Sequence, residues 1–110
     1  MEVTISKSGP FKVVALCGEV DLHTSPGARR AILDSLSAGS PVLVDLSAVA
    51  YIDSSGVASL VEGFQQARKS KLEFGLAGVS ATAMNVLRLA RLDKVFPIHV
   101  SVAARVGAQP

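Results

Sequence analysis

Tryptophan is absent from this 110-residue chain, tyrosine and cysteine occur once each, and aromatic residues make up only 5% of it. A lone cysteine, Cys17, cannot form an internal disulfide, and no CxxC or His/Cys cluster has the spacing of a metal site. Cys17 ends the apolar run Val13-Val14-Ala15-Leu16-Cys17, which reads as a buried core thiol. Charge is also sparse, at 18% of residues with a net charge of +2. The basic residues are dispersed, with only short pairs such as Arg29-Arg30 and Arg68-Lys69. The concentrated basic face with stacking aromatics that nucleic acid binding requires is therefore missing. The longest uncharged stretch, Phe74 to Leu87, is broken by Gly75, Gly78, Ser80 and Asn85. It falls short of the roughly 18 apolar residues that suggest a membrane span. Met1-Glu2-Val3 opens no signal peptide. The expectation is a soluble, cytoplasmic protein with no nucleic acid partner, no direct membrane insertion and no cofactor.

What is abundant is aliphatic. Hydrophobic residues reach 49%, and a chain of this length buries well over half of its unfolded surface, so one domain over residues 1–110 with one core is expected. Residues 2–7 alternate around Val3 and Ile5, Ser8-Gly9-Pro10 breaks the pattern, and Phe11 to Cys17 completes a predicted β-hairpin. Ser25 then caps a helix with Pro26 in its first turn and Ala28, Ile32, Leu33 and Leu36 on one face, ending at Gly39. Val42 to Leu46 has the continuous apolar character of a strand buried on both faces. After Asp53-Ser54-Ser55-Gly56, the positions Val57, Leu60, Val61, Phe64 and Ala67 recur at helical spacing. A strand over Leu72 to Leu76, a helix capped by Ser80, a short strand near Ile98 to Val100 and a helix capped by Ser101 follow. The order β-β-α-β-α-β-α-β-α predicts an α/β domain with a mainly parallel or mixed sheet and right-handed crossovers.

In a βαβ unit, the second and third strands end at one edge of the sheet, where ligands and partners of open α/β sheets engage. Gly18-Glu19-Val20-Asp21-Leu22-His23 leaves the first of those ends and Asp53 to Gly56 the second. Asp21 and Ser54 are thus expected to be neighbours. Ser54 and Ser55 stand where the clearest helix begins, so either hydroxyl is placed to cap it. A phosphate there would meet a helix N-terminus, which favours anions. His23 and His99 lie far apart in sequence and read as surface or loop residues rather than ligands. The third helix carries Val86 and Leu89 beyond its Ala83, Met84, Leu87, Ala90 stripe, which suggests contact on a second side, from the final helix in preference to a partner.

Gly18-Glu19-Val20-Asp21, Val44-Asp45-Leu46-Ser47, Asp53-Ser54-Ser55-Gly56 with its aliphatic helix, and Leu92-Asp93-Lys94-Val95-Phe96 occur in the order of the STAS domain family. In particular they resemble bacterial anti-sigma factor antagonists, over almost the whole chain. The resemblance implies a single STAS-like domain, with a mixed sheet of about five strands and helices packed mainly on one face. It further implies that an anti-sigma factor, itself an ATP-dependent serine kinase, phosphorylates Ser54, and that a serine phosphatase restores the binding form. The unmodified chain would bind the anti-sigma factor and free a sigma factor for transcription. The partner-binding surface would comprise Asp21, His23, Asp53, Ser54, Ser55 and Gly56. Val57-Ala58 stands where many relatives have leucine-glycine.

Two other functions compete. A serine hydrolase would need a G-x-S-x-G elbow, but Ile52 replaces the first glycine around Ser54, and Asp53 and Val57 replace both around Ser55. No His-Asp pairing motif or GxxxxGK[ST] loop accompanies them, so an enzyme is not expected. STAS domains also serve as accessory subunits of lipid-transporting ABC systems, where the two serines are more often replaced.

Overall fold

A computed structural model describes residues 1–108. Its elements follow the order expected: β1 (Glu2–Ser8), β2 (Phe11–Val20), α1 (Ser25–Ser37), β3 (Val42–Ile52), α2 (Ser54–Lys69), β4 (Phe74–Ala77), α3 (Ala81–Leu89), β5 (Ile98–His99) and α4 (Val102–Val106). The five strands form one sheet in the order β1-β2-β3-β4-β5. The hairpin pair β1-β2 is antiparallel and every later pair is parallel. Because β2 to β5 are laid down in one direction, right-handed crossovers place their helices on the same face. The resulting core joins Leu16, Val44, Leu46 and Leu76 of the sheet to Ile32, Leu60 and Leu87 of the helices.

By alternation, Val13, Leu43 and Gly75 look the other way. Only the short helix α4 lies towards that side. Arg105 forms a bidentate pair with Glu73, with Nη2 donating at 2.6 Å, and its guanidinium lies 5.0 Å from the Phe11 ring centroid. Helices packed mainly on one face are therefore what the chain builds.

Several boundaries differ from the sequence reading. β3 runs on past Leu46 to Ile52, because pairing with β2 continues beyond the apolar run, through two register shifts, to Val20 opposite Ile52. β4 starts at Phe74 because Leu72 closes α2, its N–H bonding to Ala67 O at 2.9 Å after Lys71 turns with φ +57°. Thr24, rather than Ser25, is the N-cap of α1, and it supplies no side-chain cap. β5 ends at His99. Cys17 is exposed rather than buried: it neighbours the buried Leu16, so alternation turns it to the open side of the sheet. His99 is half-buried in β5, with Nε2 enclosed and without a hydrogen-bond partner among the described residues. Leu92 to Phe96 anchors the bottom of the helical layer, where Phe96 completes an aromatic cluster with Phe64 at 5.5 Å and Phe74 at 6.3 Å.

Candidate functional site

The loops after β2 and β3 meet as expected. Val20 and Ile52 are register partners, and Asp53 N–H donates to Val20 O at 3.1 Å. Asp21 and Asp53 therefore leave adjacent strand ends, and Ser54 follows at once. Gly56 makes this approach possible: a Cβ there would fall 2.6 Å from Ile52 Cγ1 and 2.9 Å from Val20 Cγ1. The first turn of α2 is pressed onto both strand ends, and only a glycine fits there.

Asp21 organises the first loop. Its Oδ1 accepts from His23 N–H at 2.9 Å, from Thr24 N–H at 3.1 Å and from the Thr24 hydroxyl at 3.1 Å. Partial desolvation alone raises the carboxyl pKa. The two N–H donors, the Thr24 hydroxyl and the nearby His23 outweigh it and hold the group below its ordinary value. Leu22 and His23 project into solvent at the loop tip.

The second loop uses its acid differently. Asp53 is the N-cap of α2, with Oδ1 accepting from Ser55 N–H at 2.9 Å and Gly56 N–H at 3.2 Å. The expectation that Ser54 or Ser55 caps this helix is corrected: the carboxylate before them takes the Ser55 and Gly56 N–H groups, so both serines lie inside the first turn. Ser55 is half-buried, and its carbonyl accepts from the Ser59 hydroxyl. Ser54 is exposed, and among the described residues its hydroxyl has no hydrogen bond.

Ser54 also stands at the end of a feature the sequence reading missed. An open groove of about 850 Å³ runs between α2 and α3, lined chiefly by Val57, Ala58, Val61, Val86 and Leu89, with Ser54 at one end. The α2 periodicity was divisible into two stripes: Leu60, Gly63 and Ala67 are buried, whereas Ala58 and Gln65 are exposed and line the groove. The second side of α3 is also explained. Val86 and Leu89 face this groove and are not covered by α4, and Leu89 remains 86% exposed.

Among the described residues, no three His, Cys, Asp or Glu side chains gather as a metal site. No described helix is long and apolar enough to cross a membrane.

Comparison with known proteins extends these observations. The anti-sigma-B factor antagonist of Listeria monocytogenes is 27% identical over 86 residues, covering 77% of this chain and 75% of that protein. The crystal structure of an anti-sigma factor antagonist from Mycobacterium paratuberculosis superposes with a TM-score of 0.81 at 26% identity, covering 94% of this chain and 93% of the other. The unphosphorylated form of the anti-sigma factor antagonist SpoIIAA shares the fold, with a TM-score of 0.81 at 18% identity and coverage of 96% and 93%. The STAS domain family profile matches residues 2–104, and the chain belongs to the STAS domain family.

Proposed function

We propose that this chain is an anti-sigma factor antagonist, a binding protein rather than an enzyme, switched by phosphorylation of Ser54. Unmodified, it binds a cytoplasmic anti-sigma factor that is also a serine kinase, and so frees a sigma factor. A serine phosphatase reverses the modification. The names of the Listeria and Mycobacterium relatives support the partner class. The observation that carries the switch is the exposed Ser54 hydroxyl, which the helix does not use because Asp53 caps it.

That capping also sets the electrical consequence. Asp53 already occupies two of the N–H groups at the start of α2, so a phosphate on Ser54 adds about −1.5 to −2 charges that the helix end does not absorb. The new charge joins the carboxylates of Asp53 and Asp21 and faces whatever docks there. Asp21, His23, Asp53, Ser54, Ser55 and Gly56 form the contact surface of this reading.

The test is incubation with the cognate kinase and ATP, read by intact mass. One phosphate is expected on the wild type and none on Ser54→Ala, and Ser54→Asp is expected to bind the partner at least about tenfold more weakly. Undiminished labelling of Ser54→Ala removes the site, and co-purification with a membrane permease in place of a soluble kinase removes the partner class.

A further inference from the structure

The sheet has two edges, and only one is long: β5 spans two residues and β1 seven. The neighbouring strand shows where the backbone groups of β1 point. Lys12 N–H donates to Pro41 O, which turns the Lys12 backbone towards β3 and, by alternation, those of Phe11 and Val13 towards β1. Phe11, Val13 and Ala15 therefore bond to their register partners Ser8, Ser6 and Thr4. The N–H and C=O groups of Val3, Ile5 and Lys7 point away from the sheet, and no described element pairs with them. The usual protections of such an edge are missing. No proline interrupts β1, its register with β2 runs without a shift, and its two charges, Glu2 and Lys7, stand near its ends. Ile5, at the centre, is 49% exposed. We infer that two copies of the chain join by antiparallel pairing of β1 with β1, making one continuous sheet across a two-fold axis at Thr4.

The side chains of β1 are their own complement in this register. Val3 and Ile5 lie opposite Leu16 and Val14 and so share the helical face of the sheet. With Thr4 opposite the partner's Thr4, Val3 meets the partner's Ile5 and Ile5 the partner's Val3, so each apolar side chain gains an apolar neighbour. Each of these pairs also exchanges both of its outward N–H and C=O groups. Moving the axis to Ile5 would instead set Val3 against the partner's Lys7. Charge fixes the direction. Lys7 already stands opposite Lys12 of β2, and a parallel in-register pairing would bring the partner's Lys7 alongside both. The antiparallel pairing separates the two lysine pairs to opposite ends of the seam, and places the partner's Glu2 opposite Ser6, next to Lys7. An extended segment of another protein would find the same bare backbone, but nothing in β1 selects its sequence. β2 separates β1 from β3, so the seam leaves Ser54 outside it and the pairing is independent of the switch.

The test is the mass of the full chain by light scattering from about 1 µM to about 1 mM, where a rise to twice the monomer mass is expected. Ile5→Pro removes an outward N–H that the β1-β2 ladder does not use, so it should hold the chain as a monomer. Ile5→Lys keeps every backbone group and should weaken the dimer at least about tenfold. The register is read by oxidation in a Cys17→Ser background. Thr4→Cys faces its own copy in a non-hydrogen-bonded pair, with Cα atoms about 4.5 Å apart, a spacing that a disulfide spans. It should crosslink, whereas Ile5→Cys, about 7–8 Å from its copy on the diagonal, should not. A chain that stays monomeric at every concentration overturns the proposal and leaves the edge to an extended segment of another protein. A dimer that survives both Ile5→Pro and Ile5→Lys overturns it as well, because the contact then lies elsewhere. Faster crosslinking of Ile5→Cys than of Thr4→Cys overturns the pairing at Thr4.

Discussion

Two helices of this domain begin with the same order of cap, serine and glycine and use it in opposite ways. Thr24-Ser25-Pro26-Gly27 opens α1 and Asp53-Ser54-Ser55-Gly56 opens α2, each as cap, serine, variable residue and glycine. At α1 the cap hydroxyl turns away from the helix, accepting from Asp21 N–H at 2.8 Å and donating to Glu19 O at 2.9 Å. The serine that follows is 6% exposed, its carbonyl engaged by the Ser59 hydroxyl. At α2 the cap serves the helix, and the serine that follows is exposed. The glycines differ too: a Cβ on Gly27 meets only Met1 Cε at 3.6 Å, whereas one on Gly56 collides with both strand ends. The loop before α1 is spent on holding itself together, while the start of α2 is held by Asp53 and Gly56 so that Ser54 is left free.

The most direct way to break this contrast is to give each glycine a methyl group. Gly56→Ala should cost about 1–3 kcal/mol, because Val20 O and two packed side chains lie within 3.0 Å of the new atom. Gly27→Ala should be neutral or stabilising by up to about 1 kcal/mol, because the methyl has room and the unfolded chain loses freedom. Urea unfolding midpoints read both, and equal shifts would mean that the two helix starts are equally packed. The caps come next. Asp53→Ala should lose about 1 kcal/mol of helix stability, and Asp53→Asn should recover most of it, since an amide oxygen still accepts from Ser55 and Gly56. If Asp53→Asn is as damaging as Asp53→Ala, the carboxylate is not acting as a cap.

The layout of the fold was legible because hydrophobic periodicity and turn residues report local structure directly. The element order, the hairpin, the βαβ crossover and the caps at Ser80 and Ser101 all follow from residue spacing, and each has its counterpart in the structure. The juxtaposition of Asp21 and Ser54 was legible for a topological reason, since parallel strands must end at one edge. Harder to read was anything that depends on which side of an element is covered. Cys17 ends an apolar run that promises burial, yet the single short helix on that side of the sheet leaves it exposed. The apolar positions of α2 were merged into one stripe because spacing groups apolar residues on a helix without showing which of them the sheet covers. Val86 and Leu89 carried the visible signal, and the groove they line was the half of the answer that sequence left open. The cap of α2 was misjudged for a chemical reason: Asp, Ser and Ser in succession are all good caps, and only backbone geometry chooses Asp53.

The smallest effect concerns the first loop and its dependence on pH. Asp21 has its carboxyl pKa held below the ordinary value by the Thr24 and His23 donors, against the opposing pull of desolvation. A depressed folded-state pKa contributes stability that is present above the unfolded value, near 3.9, and is lost as pH falls through the folded one. Lowering the pH from 6 to 3 should therefore weaken the wild type more than Asp21→Asn, in which nothing titrates at this position. The difference will not vanish in the variant. Glu62 and Glu73, whose arginine partners Arg29 and Arg105 also lower their pKa values, lose stability over the same range. The informative quantity is thus the gap between two urea midpoint curves, which should be widest near neutral pH and close below about pH 4. A gap that stays constant with acidification would mean that Asp21 shapes its loop by hydrogen bonds an asparagine cannot reproduce. The loop's charge would then contribute nothing of its own.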